Sequence, residues 1–122
     1  MSLTKEEQLF TDGLYAFNSR KFYDAHEFWE ELWLDYKLED AKCIQGLIQL
    51  AVSYFHLFND NLKGARSMIR KSLTKFQDFN SCRGIDIVKL IEEVEKVQSH
   101  FDEISISSYI KDRYIITLKV SH

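Results

Sequence analysis

The 122-residue chain has 45% hydrophobic and 14% aromatic residues, with nine Phe, six Tyr and two Trp. That apolar content excludes a disordered chain and is enough for one domain with a real core. A formal net charge of −3 supplies no global positive field for nucleic acid, so no nucleic-acid partner is expected.

Cys43 and Cys82 have neither metal-ligand spacing nor a dense secreted pattern, which points to reduced thiols and a cytoplasmic protein. Acids at Glu6 and Glu7 stand where an export signal needs an apolar run. The longest apolar stretch, Cys43 to Phe58, is interrupted by Gln45, Gln49 and His56 and falls short of the roughly 20 residues a bilayer span requires, so no membrane partner is expected. The absence of proline permits long helices throughout.

The predicted fold class is all-α: a compact bundle of about five helices around a central apolar helix, followed by a short extended C-terminal tail. The first helix runs from about Thr4 to Asn18, with Leu9, Phe10, Leu14 and Phe17 on one face. After a polar turn, Phe22, Ala25, His26, Trp29, Leu32, Trp33 and Tyr36 form a second helical stripe. The third helix, about Ala41 to Phe58, is apolar nearly all round and is expected at the centre. Asn59-Asp60-Asn61 then supplies turn and cap chemistry for a fourth helix, whose inner stripe is Leu62, Ala65, Ile69, Leu73 and Phe76 and whose outer face is basic. A fifth helix follows Gly84, capped at Asp86, with Ile87, Leu90, Ile91, Val94, Val97 and Phe101 inward.

The expected division is a helical bundle domain over residues 1–103 and a tail over 104–122 packed on the bundle or on a partner chain. Alternation at Tyr114, Ile116, Leu118 and Val120 suits an extended segment. A weak internal repeat at an offset of 40 pairs Phe17 with Leu57, Phe22 with Leu62, Ala25 with Ala65 and Trp29 with Ile69. Two tetratricopeptide-like helical hairpins would produce it, as would any two amphipathic helices.

Candidate chemistry concentrates on helices two and three. His26 and Glu30 stand one turn apart, able to share a hydrogen bond or a divalent metal, or to act as a base with its orienter. Gln45, Gln49 and His56 lie within about 40° on a wheel, a polar stripe on an apolar cylinder, and Gly46 beside them would admit a backbone or ligand. If that stripe faces helix two, it meets His26 and Glu30 in a low-dielectric cleft. If it faces solvent, or forms a satisfied polar network, it binds nothing.

These residues, His26-Glu27-x-x-Glu30-x-x-Trp33, Gln45-Gly46-Leu47-Ile48-Gln49-x-Ala51, His56 and Asn61-x-x-Gly64-Ala65, resemble the family called domain of unknown function 309, over about Phe10 to Phe79. The resemblance implies a compact multihelical bundle and no particular activity. Its characteristic polar positions fall on His26, Glu30, Gln45, Gln49, His56 and Asn61.

The pattern supports three functional readings. In the first, a small molecule or a divalent metal such as zinc or manganese binds between helices two and three. His26, Glu30 and His56 would be the metal ligands, and Gln45, Gln49, Asn61 and Trp33 would contact a ligand. Two imidazoles and a carboxylate are the donor set of a hydrolytic metal centre, so metal-dependent hydrolysis is the only enzyme class suggested. In the second, the chain is a helical adaptor that binds a protein through a groove or through Lys63, Arg66 and Arg70. In the third it is a homodimer whose tail, Tyr109 to Val120, crosses to the other subunit.

Overall fold

The computed structural model describes residues 2–101 and 114–121. Five helices account for most of it: α1 (Lys5–Asn18), α2 (Phe22–Asp35), α3 (Ala41–Phe58), α4 (Leu62–Phe76) and α5 (Ile87–Phe101). Two two-residue strands, β1 (Ser81–Cys82) and β2 (Ile85–Asp86), precede α5 as an antiparallel hairpin. Each helix packs against the next, with α3 between α2 and α4, as its nearly uniform apolar surface requires.

Helix starts follow local chemistry. Thr4 and Glu7 form a reciprocal capping box at α1, Asn61 accepts from the Gly64 amide at α4, and Asp86 accepts from the Lys89 amide (3.0 Å) at α5.

The offset of 40 recurs in the turns. Arg20 and Asp60 both adopt left-handed backbone, with φ of 64° and 57°. The next residue in each turn closes the same bond, Lys21 N–H to Ala16 C=O (2.8 Å) and Asn61 N–H to His56 C=O (2.9 Å). The hairpins α1–α2 and α3–α4 therefore share turn geometry as well as apolar spacing.

Trp29 anchors the first hairpin. Its indole is fully buried beside Phe17 and donates from Nε1 to the Phe10 carbonyl (3.2 Å). Gly13 makes room for it, since a Cβ there would sit 2.2 Å from that nitrogen. Gly46 does the same for the second hairpin: a Cβ there would meet the Phe76 ring at 2.6 Å. The glycine expected to admit a backbone or a ligand admits the α4 side chain of Phe76. Ser72, polar and therefore outside the expected inner stripe of α4, is fully buried and satisfies its hydroxyl on the Ile69 carbonyl (2.7 Å).

No periodic pattern in the sequence marks the β hairpin. Arg83 and Gly84, with φ of 50° and 86°, make its two-residue turn. The described part of the tail lies against its own chain. Ile116 and Leu118 are buried, and Val120 bridges to Ile85. The Asn18 side chain substitutes for a strand, donating to the Leu118 carbonyl (2.9 Å) and accepting from its amide (2.8 Å). Tyr54 donates its hydroxyl to the Tyr114 carbonyl (2.6 Å) and accepts from the Ile116 amide (3.1 Å). Residues 104–113, including the first part of the proposed crossing segment, lie outside the described residues. Among those described, no helix is long and apolar enough to cross a membrane.

Candidate functional site

The polar stripe of α3 occupies a definite place. Residues on one side of it face α4: Ser53 donates to the Ala65 carbonyl (2.7 Å) and Gly46 seats Phe76. Residues on the other side face α1 and α2: Tyr54 stacks on Phe22 with ring centroids 4.8 Å apart and meets Phe17 at 6.0 Å. At 100° per residue, Gln45, Gln49, Val52 and His56 are then left on the outer side of α3, between α2 and α4, and all four are half-buried.

Ring contacts between Phe22 and Phe58 (5.9 Å) and between Tyr23 and Phe55 (5.5 Å) set the antiparallel register of α2 on α3. Since both helices rise equally per residue, His26 stands level with Val52, Glu30 with Gln49, and Trp33 with Gln45. The Gly46–Phe76, Ser53–Ala65 and Gly64–His56 approaches do the same for α4. They bring Gly64 level with His56, Lys71 with Gln49, and Lys75 with Gln45. The result is a three-helix face with His26, Glu30 and Trp33 on α2, Gln45 and Gln49 on α3, and Lys71 and Lys75 on α4.

Within it the expected site residues fall into three groups. On α2, His26 Nε2 and Glu30 Oε2 are 2.8 Å apart, and Tyr23 meets the His26 ring edge-on at 5.7 Å. In the middle of α3, Gln49 Oε1 is buried, and none of the described residues donates a hydrogen bond to it. At the α3–α4 turn, His56 Nδ1 and Asn61 Nδ2 are 3.3 Å apart, while Asn61 Oδ1 caps α4 through the Gly64 amide (2.9 Å).

His56 and Asn61 thus have a local task, holding the turn and the start of α4. His56 is not joined to His26 and Glu30: among the described residues, no three His, Cys, Asp or Glu side chains form a group able to hold a metal ion. Trp33 is also displaced from expectation. Its spacing from Trp29 puts it on the apolar stripe, yet it is 36% exposed at the lower end of the face.

Sequence reasoning missed a second polar cluster. Arg83, on the hairpin turn, reaches Asp40 with two nitrogens (2.8 and 3.2 Å) and Glu6 with one (3.5 Å), and its guanidinium lies 5.4 Å from the centre of the Phe10 ring. Burial would raise the Asp40 carboxyl, but the hydrogen bonds and charge of Arg83 outweigh it and hold that carboxyl below its ordinary value. Cys82 is 3.6 Å from the same carboxylate. The thiol of Cys43 is pushed far up, first by hydrogen bonding with Cys82 and then by burial, and both cysteines are buried and free of disulfides. Only the tertiary fold joins Glu6, Asp40 and Arg83, which no local spacing connects.

The basic residues of α4 are likewise divided. Arg66 donates to the carbonyl of Phe101 (3.0 Å), the last described residue of α5.

Residues 10–68 match the family described as a domain of unknown function, DUF309. The resemblance read from the sequence is borne out over that segment, which contains the three-helix face as far as Met68. An uncharacterized protein of Aquifex aeolicus (strain VF5) is 29% identical over 102 residues, 80% of this chain and 30% of the relative. The chain therefore spans less than a third of the length of that curated relative.

Proposed function

We propose that the DUF309 face of α2, α3 and α4 binds a small polar ligand that supplies a hydrogen-bond donor to Gln49. The observation that carries this reading is the buried Gln49 oxygen without a protein donor. Leaving such an acceptor unmet costs about 1–3 kcal/mol, whereas His26 and Glu30 pair with each other and His56 and Asn61 do the same. Glu30 on one side and Lys71 on the other supply opposite charges at the level of Gln49, and Trp33 supplies a flat apolar edge.

A zinc or manganese ion is the second reading, favoured by the 2.8 Å approach of His26 and Glu30. It requires His56 to leave Asn61 and join them. The adaptor reading has no comparable observation behind it.

Equilibrium dialysis of the whole chain against a small-molecule extract of the cells that express it, read by mass spectrometry with elemental analysis of the same samples, tests both. A compound enriched by the wild type and not by Gln49→Leu supports the ligand reading. Stoichiometric zinc or manganese lost in His26→Ala moves the assignment to metal. Equal enrichment by wild type and Gln49→Leu, or none by either, overturns the ligand reading.

A further inference from the structure

Two nucleophilic side chains take no part in the polar face. Cys43 and Cys82 are the chain's two cysteines, both buried and neither in a disulfide. They meet where the β hairpin lies against the start of α3. Asp40 stands just before α3, its carbonyl accepting from the Ile44 amide (3.1 Å), and Cys43 follows it by three residues on the same side of the helix. The hairpin brings Cys82 to that side: its thiol donates to the Asp40 carboxylate (3.6 Å), and the Cys43 thiol is within hydrogen-bonding reach of it.

A cysteine sealed in apolar surroundings is inert, but this pair has a neighbour that water reaches. The Asp40 and Arg83 side chains are 25% and 20% exposed, and with Glu6 and Lys37 they line a cleft of about 400 Å³. Cys82 precedes Arg83 in the chain and touches Asp40, so it stands directly behind the wall of that cleft. It also sits on a strand of only two residues, which opens more readily than a helix packed in the core. Cys43, by contrast, is wholly covered. A small solute entering the cleft therefore meets Cys82 first. The carboxylate beside it is an acceptor for the thiol proton, which an apolar filler of the core has no use for.

We propose that Cys43 and Cys82 form a reversible dithiol site, which hydrogen peroxide converts into a disulfide that fastens the β hairpin to the start of α3. The Cys82 proton passes to Asp40 as the sulfur attacks one peroxide oxygen. An S–O bond forms, the O–O bond breaks, and the departing hydroxide takes the proton back from Asp40 as water, leaving a sulfenic acid on Cys82. The Cys43 sulfur then attacks the Cys82 sulfur. The S–S bond forms, the S–O bond breaks, and the hydroxide leaves with the Cys43 proton as a second water. Two thiols are thus oxidised by two electrons and one peroxide is reduced to two waters. A dithiol reductant reverses the bond by thiol–disulfide exchange. The proposal is independent of the ligand reading, since neither cysteine lies on the three-helix face.

Intact-mass spectrometry of the whole, folded chain after treatment with excess hydrogen peroxide tests it. The wild type should lose the mass of two hydrogens while remaining a single chain, and dithiothreitol should restore it. Peptide mapping should join the Cys43 and Cys82 peptides and separates this change from oxygen added at Met1 or Met68. Cys43→Ser should stop at the sulfenic acid, trapped by dimedone on Cys82, whereas Cys82→Ser should keep its Cys43 thiol under the same conditions. The oxidised wild type should unfold at a higher urea concentration than the reduced one, because the cross-link constrains the unfolded chain. A folded wild type that keeps both thiols, a bond that forms only in urea or between two chains, or an oxidised form with a lower urea midpoint would overturn the proposal.

Discussion

Tyr54→Phe removes one oxygen and leaves the ring, with its packing against Phe22 and Phe17, in place. What is lost is the link between α3 and the tail: the Ile116 amide loses its acceptor and the Tyr114 carbonyl its donor. An unmet buried group costs about 1–3 kcal/mol, which corresponds to about a 5- to 150-fold change in an opening equilibrium. The loss appears either as a lower urea midpoint with an unchanged slope, or as faster hydrogen exchange at Ile116 and Leu118 if the tail opens by itself. Exchange measured residue by residue alongside urea unfolding separates the two.

Burial pushes the Tyr54 phenol above its ordinary value, with the Ile116 amide acting in the opposite direction. The raised value favours the neutral phenol in the folded chain, so its stabilising contribution is full below the ordinary tyrosine value of about 10 and is lost as the pH rises through the folded value. The alkaline fall in stability should therefore be shallower in Tyr54→Phe. Wild-type exchange at Ile116 together with a wild-type urea midpoint in the variant would refute the assignment of the hydroxyl as the tail's anchor.

Gly13→Ala should cost about 1–3 kcal/mol by driving a methyl into the Trp29 indole. In a Trp33→Phe background, the emission of Trp29 should shift to the red, and an unchanged spectrum and midpoint would count against the packing described. Arg83→Met should cost about 1.5–3 kcal/mol through the lost hydrogen bonds to Asp40, as read by urea unfolding. Because the Asp40 carboxyl is depressed in the folded chain, its contribution is full above the ordinary aspartate value of about 3.9 and is lost as the pH falls through the lower folded value. Asp40→Asn should flatten that acid limb. Gln49→Leu should raise stability by about 1–3 kcal/mol, because it deletes an unmet acceptor; a lower midpoint would mean that the oxygen has a donor within the fold.

Much of the bundle was legible because helix formation depends on local repetition. Apolar steps of three and four residues marked the helices, Asn61 and Asp86 marked two starts, and the apolar circumference of α3 marked it as central. The polar stripe was legible as a stripe, but its direction was not. A wheel gives angles within one helix, and which side faces a neighbour depends on how α2 and α4 pack around it. Thus Gly46 reads as a place of close approach in the sequence and proves to be a seat for Phe76 in the fold, and His56, part of the stripe, stands beside Asn61 at the start of α4.

The sequence by itself determined a helical chain of this length, the turns between its first four helices and the residues that carry polar chemistry, since all of these follow from side-chain period and backbone preference over a few neighbours. Only the tertiary structure decided that Trp33 is exposed while Trp29 is buried, that Glu6, Asp40 and Arg83 meet, and that Asn18 and Tyr54 hold the tail. Those pairings join residues up to 100 positions apart, and no periodicity encodes a contact whose partners are brought together by the packing of the elements between them.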